Sequence, residues 1–412
     1  MLKDLKATLI NKKTVIYILT IVISIVLIII GNKITSRNLD FLKGSGEITA
    51  AKAKVIKIVK IKPVKYDLGG DKPESGKDIV FSAKIISGDK KNTEVLALQS
   101  IDPFTGVSFK EVKAGDKVIL YKLDNKDSTY DYVLGEYLRT DSLLVLGVIF
   151  LILLIIFGRF KGFNTILSLV FTSLAIFAVF IPAVLQGLNI YFWSIITCIF
   201  IITMSMLIIY GLNKKSLAAA IGSFVGILTS GVLILIMNNF LNLTGLVSEE
   251  SLYVVRINPT HPIDLKGVIF ASILIGAIGA VMDVSMSIAA SLSELKDKLE
   301  YVPFSLLVKS GMSIGRDIMG TMANTLILAY IGSSLSVVLL MVSYNSSLLE
   351  LLNKEMIVVE ILQALIGSIG ILSTIPLTTF VYAYLFSEKT IREPIEEPLE
   401  EDYQDEYTDG WK

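Results

Sequence analysis

Residues 267–292 read GVIFASILIGAIGAVMDVSMSIAASL. A helix needs about 20 apolar residues to cross the hydrocarbon core of a bilayer. This run supplies them, and between Leu265 and Leu292 it holds a single acid, Asp283. On insertion scales an aspartate at mid-helix costs about 2.5 to 3.5 kcal/mol, so Asp283 is a functional-site candidate, the alternative being a protonated structural carboxyl hydrogen-bonded to Ser287, Asn324 or a backbone carbonyl. Gly276, Gly279, Ala280, Asp283, Ser287 and Ala290 recur at i, i+3 and i+4, which places them on one stripe of a helix. Small residues let helices approach closely, and a polar residue among them points into a bundle. Asp283 is therefore expected to be buried among helices.

The rest of the chain matches that reading. Its 412 residues are 53 % hydrophobic with 38 basic and 38 acidic side chains, and the mean hydropathy is +0.68, which excludes an ordinary soluble domain. Apolar runs occur at Val15–Ile30, Ser142–Phe157, Asn164–Leu185, Ile190–Leu212 and Leu217–Met237. Three more follow at Leu265–Leu292, Met319–Val342 and Ile357–Phe386. The fold class is a polytopic α-helical membrane protein with about eight transmembrane helices.

Lys3, Lys6, Lys12 and Lys13 precede the first run, and no Ala-x-Ala site follows it, so residues 1–31 read as a cytoplasmic N-terminus with an uncleaved anchor. Basic loops face the cytoplasm. Alternation then places Arg159 with Lys161, Lys214 with Lys215, and the Glu294–Arg316 connector on that same side. Residues 32–140 fall outside, residues 141–387 form a seven-helix membrane domain, and residues 388–412 return to the cytoplasm. The expected location is the bacterial plasma membrane. The single cysteine, Cys198, lies within a span and reads as packed. His261, the only histidine, has no second ligand to build a metal site, and no metal or cofactor is expected.

Within residues 32–140 the pattern changes to short alternating runs: Ala53–Ile61 (AKVIKIVKI), Ile79–Ser87, Thr93–Ile101 and Lys117–Leu123. Gly69-Gly70, Gly88-Asp89, Asp102-Pro103, Thr105-Gly106 and Gly115-Asp116 supply turns between them. About five strands predict a small closed barrel of the kind OB-folds exemplify. Lys52, Lys54, Lys57, Lys60 and Lys62 make one face basic, either a solvated strand face or a surface for anionic lipid or a wall polymer. From Glu393 the tail EPIEEPLEEDYQDEYTDGWK is acidic and aperiodic, hence disordered, serving solubility or a basic partner.

Thr321, Asn324, Thr325 and Leu328 share one face of the following span, where a polar side chain would reach Asp283. The last span carries Gly367, Gly370, Pro376, Thr378 and Thr379, small or helix-perturbing residues suited to close packing. Gly222 and Gly226 have GxxxG spacing, which serves either the fold or a dimer interface.

The anchor, outer β-domain, multiple spans and GAIGAVMDVSMSIAASL at 276–292 resemble the YibE/F family of bacterial membrane proteins. That resemblance implies an integral membrane protein and brings no substrate with it. The last 120 residues or so are also similar to the SecD/SecF branch of RND permeases. The likeness rests on Gly279-Ala280-Val281-Met282-Asp283, Met322-Ala323-Asn324-Thr325-Leu326-Ile327, Tyr330-x-Gly332 and Gly367-Ser368-Ile369-Gly370. It implies that Asp283 carries protons, with Asn324 and Thr325 as supporting polar positions and Gly276, Gly279, Ser287, Thr321, Gly367 and Gly370 packing the helices. Ser293, Glu294 and Lys296 stand where that branch has an acidic-arginine cluster, and one unit is present rather than two. A homo-oligomer or a paired YibE/F-like subunit would complete it.

The expected function is thus a proton-coupled transporter or export accessory of unknown substrate. The alternative is a membrane scaffold that displays the β-domain and tail to partner proteins. Without HExxH, a second intramembrane aspartate or a Ser/His pair in the spans, no enzyme activity and no nucleic-acid binding is expected.

Overall fold

A computed structural model describes residues 2–37, 50–66, 74–88, 90–101, 110–123, 130–258, 261–299, 302–344 and 347–387. The tail, the turns expected at Gly69-Gly70, Asp102-Pro103 and Thr105-Gly106, and the side chains of Lys3, Lys6, Lys12 and Lys13 lie outside what it describes. The chain divides into two compact units, residues 40–163 and residues 1–39 with 164–412.

Among the described residues the first unit holds five strands: β1 (Ala50–Tyr66), β2 (Glu74–Ile85), β3 (Glu94–Ile101), β4 (Lys117–Lys122) and β5 (Tyr132–Tyr137). They close into a barrel in the order β1-β2-β3-β5-β4, all pairs antiparallel except β3 with β5. Ala53, Val55, Ile79, Phe81, Ala83 and Leu120 point inward, while Lys52, Lys54, Lys57, Lys60 and Lys62 of β1 are exposed. Register shifts at Val55/Lys57 and Ile58/Lys60 mark bulges in β1, the device that bends a strand enough to close a small barrel. Buried Gln99 accepts from the Val112 backbone N–H at 2.9 Å and donates to the Lys110 carbonyl at 3.0 Å, which pins residues 110–112 to β3.

Among the described residues, six helices are long and apolar enough to cross a membrane. They include α1 (Leu2–Thr35), α4 (Ile190–Tyr210), α5 (Lys214–Phe240), α7 (Leu265–Lys298) and α11 (Glu355–Phe386). The sixth is a 46-residue run, Thr140–Leu185, made of α2 (Thr140–Leu174), a π-helical turn (Ala175–Phe180) and α3 (Ile181–Leu185). Sequence reading expected two spans there. The backbone breaks at Arg159, where φ is 49° and ψ is −125°, and Gly162 returns against the Leu154 carbonyl, closer than a side chain would permit.

The span expected at Met319–Val342 is also different. α8 begins much earlier, at Phe304, and runs to Ser333; α9 (Leu335–Tyr344) leaves it at 62°. Gly332, Ser333 and Ser334 lie at the bend, a residue combination at which helices kink. Much of the expected Glu294–Arg316 connector is therefore helix, with α7 reaching Lys298 before the short link to α8. Short α6 (Glu249–Ile257) and α10 (Leu348–Asn353) complete the chain.

The core of this second unit is built by α4, α5, α7, α8 and α11 around Ile202, Ile234, Phe270, Ile273, Ile371 and Tyr382. Glycines set its closest approach. Gly222 of α5 lies against Thr378 of α11, and Gly226 against Thr374 and the Gly370 carbonyl. The GxxxG spacing thus serves the fold. Gly367 packs against Leu326 of α8 and Ala277 of α7. Across α5 and α7, Ser223 and Ser285 share a buried 2.6 Å hydrogen bond.

Both ends of the bundle are tied. At one, Lys214 and Lys296 donate to the carbonyls of Leu385 and Phe386, each at 3.4 Å, with their ammonium groups over the Phe386 ring at 5.6 and 5.0 Å. The start of α5 and the ends of α7 and α11 therefore meet, as the alternation of loops requires. At the other, Glu355 accepts from the Thr244 and Gly245 backbone N–H groups and the Thr244 hydroxyl at 2.6 to 2.7 Å.

Candidate functional site

Asp283 sits midway along α7, about 27 Å from Leu265 and about 22 Å from Lys298 at 1.5 Å per residue. The helix is continuous through it, starting at Asp264, whose side chain accepts from the Lys266 N–H at 3.0 Å as an N-cap.

Within the single chain, Asp283 is not buried among helices as expected. Gly276, Gly279, Asp283 and Ser287 are all exposed, and Ala280 and Ala290 are half-buried. The stripe faces outward and continues through Ser272 at one end and Glu294 and Asp297 at the other. The opposite faces of α7 carry Ala271, Ala277, Ser285 and Ala289, all buried. Small residues occur on both sides, so the rule that small faces pack inward could not choose between them. The serine buried in the bundle is Ser285, not Ser287.

Depth relations between α7 and the antiparallel α8 follow from two contacts: Gly311 lies against Leu292, and Tyr330 against Gly276. Nine residues back from Leu292 is Asp283, and nine on from Gly311 is Gly320. Seven residues on from Gly276 is again Asp283, and seven back from Tyr330 is Ala323. Asp283 is thus level with residues 320–323 of α8 and within one turn of Thr321, Asn324 and Thr325.

The structure brings these polar groups to one depth but does not join them. Thr325 donates to the Thr321 carbonyl at 2.8 Å and Thr321 to the Ile318 carbonyl at 2.9 Å, both within α8. Asn324 is exposed. Asp283 has no hydrogen bond or ion pair among the described residues; Tyr210, at the end of α4, is within electrostatic range. Of the expected packing residues, Gly367 and Gly370 are buried in the helix contacts already described, while Gly276, Gly279, Ser287 and Thr321 are exposed.

This face differs from the others. The exposed sides of α5 and α11 present Val232, Leu235, Ile236, Ile361, Leu365 and Ile369, the composition lipid selects. That of α7 presents glycine, serine and charge, and that of α8 presents glycine, threonine, asparagine and charge beside exposed Met319, Leu328 and Ile331. Sequence reasoning also passed over Tyr330, whose hydroxyl is buried at Gly276 with no hydrogen-bond partner among the described residues.

The barrel offers a cavity of about 950 Å³ lined by residues of β3, β4 and β5 and the start of α2. Its charges are matched: Lys110 pairs with Asp116 at 3.5 Å, Arg139 with Glu136 at 2.9 Å and Lys117 with Asp141. Lys52, Lys54, Lys57, Lys60 and Lys62 make no ion pair among the described residues. No group of three or more His, Cys, Asp or Glu side chains suited to a metal occurs among the described residues.

The YibE/F-like protein family model matches residues 146–388, which take in the membrane helices from α2 to α11 and the whole Asp283 face. No curated protein and no solved structure matches the chain. With the match covering more than half of its residues, the chain belongs to the YibE/F-like family, and it is a membrane protein with several apolar helices.

Proposed function

We propose that the protein is a proton-coupled transporter or export component in which Asp283 takes up a proton from one side of the bacterial plasma membrane and releases it to the other. One observation carries this reading: a lone carboxyl at the middle of a 34-residue helix, on a polar face level with Thr321, Asn324 and Thr325. Intramembrane acids are costly, and in pumps they serve proton relays. A hydroxyl or amide within one turn can hold the protonated or the ionised carboxyl as α7 and α8 shift against each other. In this reading the 46-residue run makes two passes broken at Arg159 and the bent α8–α9 pair makes one, giving eight spans with both termini cytoplasmic.

Energised proteoliposomes carrying an interior pH dye test it. Wild type is expected to move protons and Asp283→Asn to be silent while remaining folded. Equal flux in both, or none in either, would remove Asp283 from transport. The second reading, a non-transport scaffold, is favoured by the self-contained barrel, five lysines of which make no ion pair among the described residues. It expects Asp283→Asn to leave function intact and truncation of the barrel to abolish it.

A further inference from the structure

We propose that the exposed seam of α7 is covered by α8 of a second copy of this chain, related by a two-fold axis along the membrane normal, so that Asn324 of the partner subunit completes the Asp283 site. This deepens the transport reading and rests on it for what the site does; the assembly is tested separately.

The seam is continuous: Ser272, Gly276, Gly279, Asp283, Ser287 and Glu294 lie within about 40° of one line down the helix at 100° per residue. Lipid cannot satisfy such a surface, because a mid-bilayer carboxyl facing hydrocarbon has no partner. Its small residues offer instead the close approach on which helix pairs in membranes depend.

Charge and hydrogen-bond chemistry select the occupant. A second α7 would set Asp283, Glu294 and Asp297 against their own copies, like charge on like. The exposed arc of α8 is complementary. It carries Lys309 and Arg316, the latter beside Asp317, then Gly320, Thr321, Asn324 and Thr325. Depth matches as well. By the alignment of α7 with α8 given above, Glu294 is level with residues 309–312, and so with Lys309, while Asp283 is level with residues 320–323.

A two-fold axis normal to the membrane leaves every residue at its own depth, so the partner subunit's Lys309 meets Glu294 and the partner subunit's Asn324 reaches Asp283. The same contacts recur in reverse, as a two-fold interface requires. One chain thus holds both halves of the match, and no different protein is needed to supply the second. Neither Glu294 nor Lys309 has an ion pair among the described residues, and the orphaned Tyr330 hydroxyl beside Gly276 adds an unmatched polar group at the edge of the same seam.

The test uses the full chain, purified and co-reconstituted into liposomes as two differently tagged populations, both in a Cys198→Ser background. One carries Ser287→Cys on α7 and the other Gly320→Cys on α8. A disulfide joining the two tags is expected to exceed either same-tag product several-fold. A Val232→Cys and Leu365→Cys pair, on lipid-facing sides of α5 and α11, is expected to give none. Glu294→Lys should lower the mixed product, and adding Lys309→Glu to the same chain should restore it.

Predominance of the Ser287→Cys same-tag product would overturn the assignment to α8. Absence of any cross-link in a folded, reconstituted protein would overturn the second copy as occupant. Cross-linking with proton flux indifferent to Asp283→Asn would keep the assembly and sink the transport reading, and the converse result would do the reverse.

Discussion

Replacing Gly226 by alanine and then valine separates two accounts of α5 by the order of stability alone. By intrinsic helix propensity Ala exceeds Val, and Val exceeds Gly, over a range of about 1 kcal/mol, so a Gly226 free of neighbours would be the least stable of the three. The structure predicts the opposite. A Cβ at this position would lie 2.9 Å from the Gly370 carbonyl oxygen and closer still to the Thr374 hydroxyl. Ordinary contact is about 3.5 to 4.0 Å, so α5 and α11 would have to part by about 0.6 to 1 Å.

Overpacking of this kind costs about 1 to 3 kcal/mol. Less the gain of about 1 kcal/mol in propensity, Gly226→Ala should lose about 0 to 2 kcal/mol. Gly226→Val gains less propensity and adds two methyl groups at the contact, so its loss should exceed that of Gly226→Ala, reaching about 3 kcal/mol. A shift of 1 kcal/mol moves Tm by about 2 to 4 °C in a domain of this size. The assay is supplied by the chain. Cys198, the only thiol, is buried against α5 and α7, so its reaction with a thiol-activated fluorophore on heating reports opening of that core. The order Gly above Ala above Val is expected. If Ala and Val both melt above Gly, the α5–α11 contact is not as described.

Glu355→Ala removes three charge-assisted hydrogen bonds to Thr244 and Gly245 and should cost about 2 kcal/mol, read by the same thiol assay, with Glu355→Gln restoring only part of it. Arg159 occupies a backbone conformation open to glycine and strained for side chains, so Arg159→Gly should leave Tm unchanged or raised while Arg159→Val lowers it. In the barrel, the Tyr137 hydroxyl donates to the Lys110 carbonyl at 2.8 Å, and burial followed by the nearby Asp116 carboxylate pushes its pKa above the ordinary 10.0. The native state then holds this proton more tightly than the unfolded chain. Its stabilising share is whole below pH 10 and lost as pH rises through the higher native value. Tyr137→Phe should remove that part of the alkaline loss, measured by near-ultraviolet circular dichroism.

The long elements were legible because their signals are long. Runs of 20 apolar residues mark membrane helices, and alternation marks AKVIKIVKI as a strand; it sets the faces only as far as Val55, since the bulges that follow leave Ile56, Val59 and Ile61 exposed. Short elements were less so. β5 (YVLGEY) was not singled out, since its Gly135 interrupts the alternation where it passes the Tyr121 ring. The bend at Ser334 lay in a stretch whose hydropathy hides it, with Gly332, Ser333 and Ser334 as the available signal. Asp283 was found at once, by the cost of a charge among apolar neighbours. Its direction was not, because α7 has small residues on two sides, and which side packs depends on where α5 and α11 present their own glycines and threonines.

α5 and α11 are joined at both ends, through Glu355 at one and Lys214 at the other, and their backbones touch between them. The side-chain hydrogen bonds of α8 among the described residues all return to its own backbone. Polar ties break discretely whereas apolar contacts slide, so in the proposed transport reading the pair serves as the stator and α8 as the part that travels. Asp283 then stands on α7, at the track along which that travel is read.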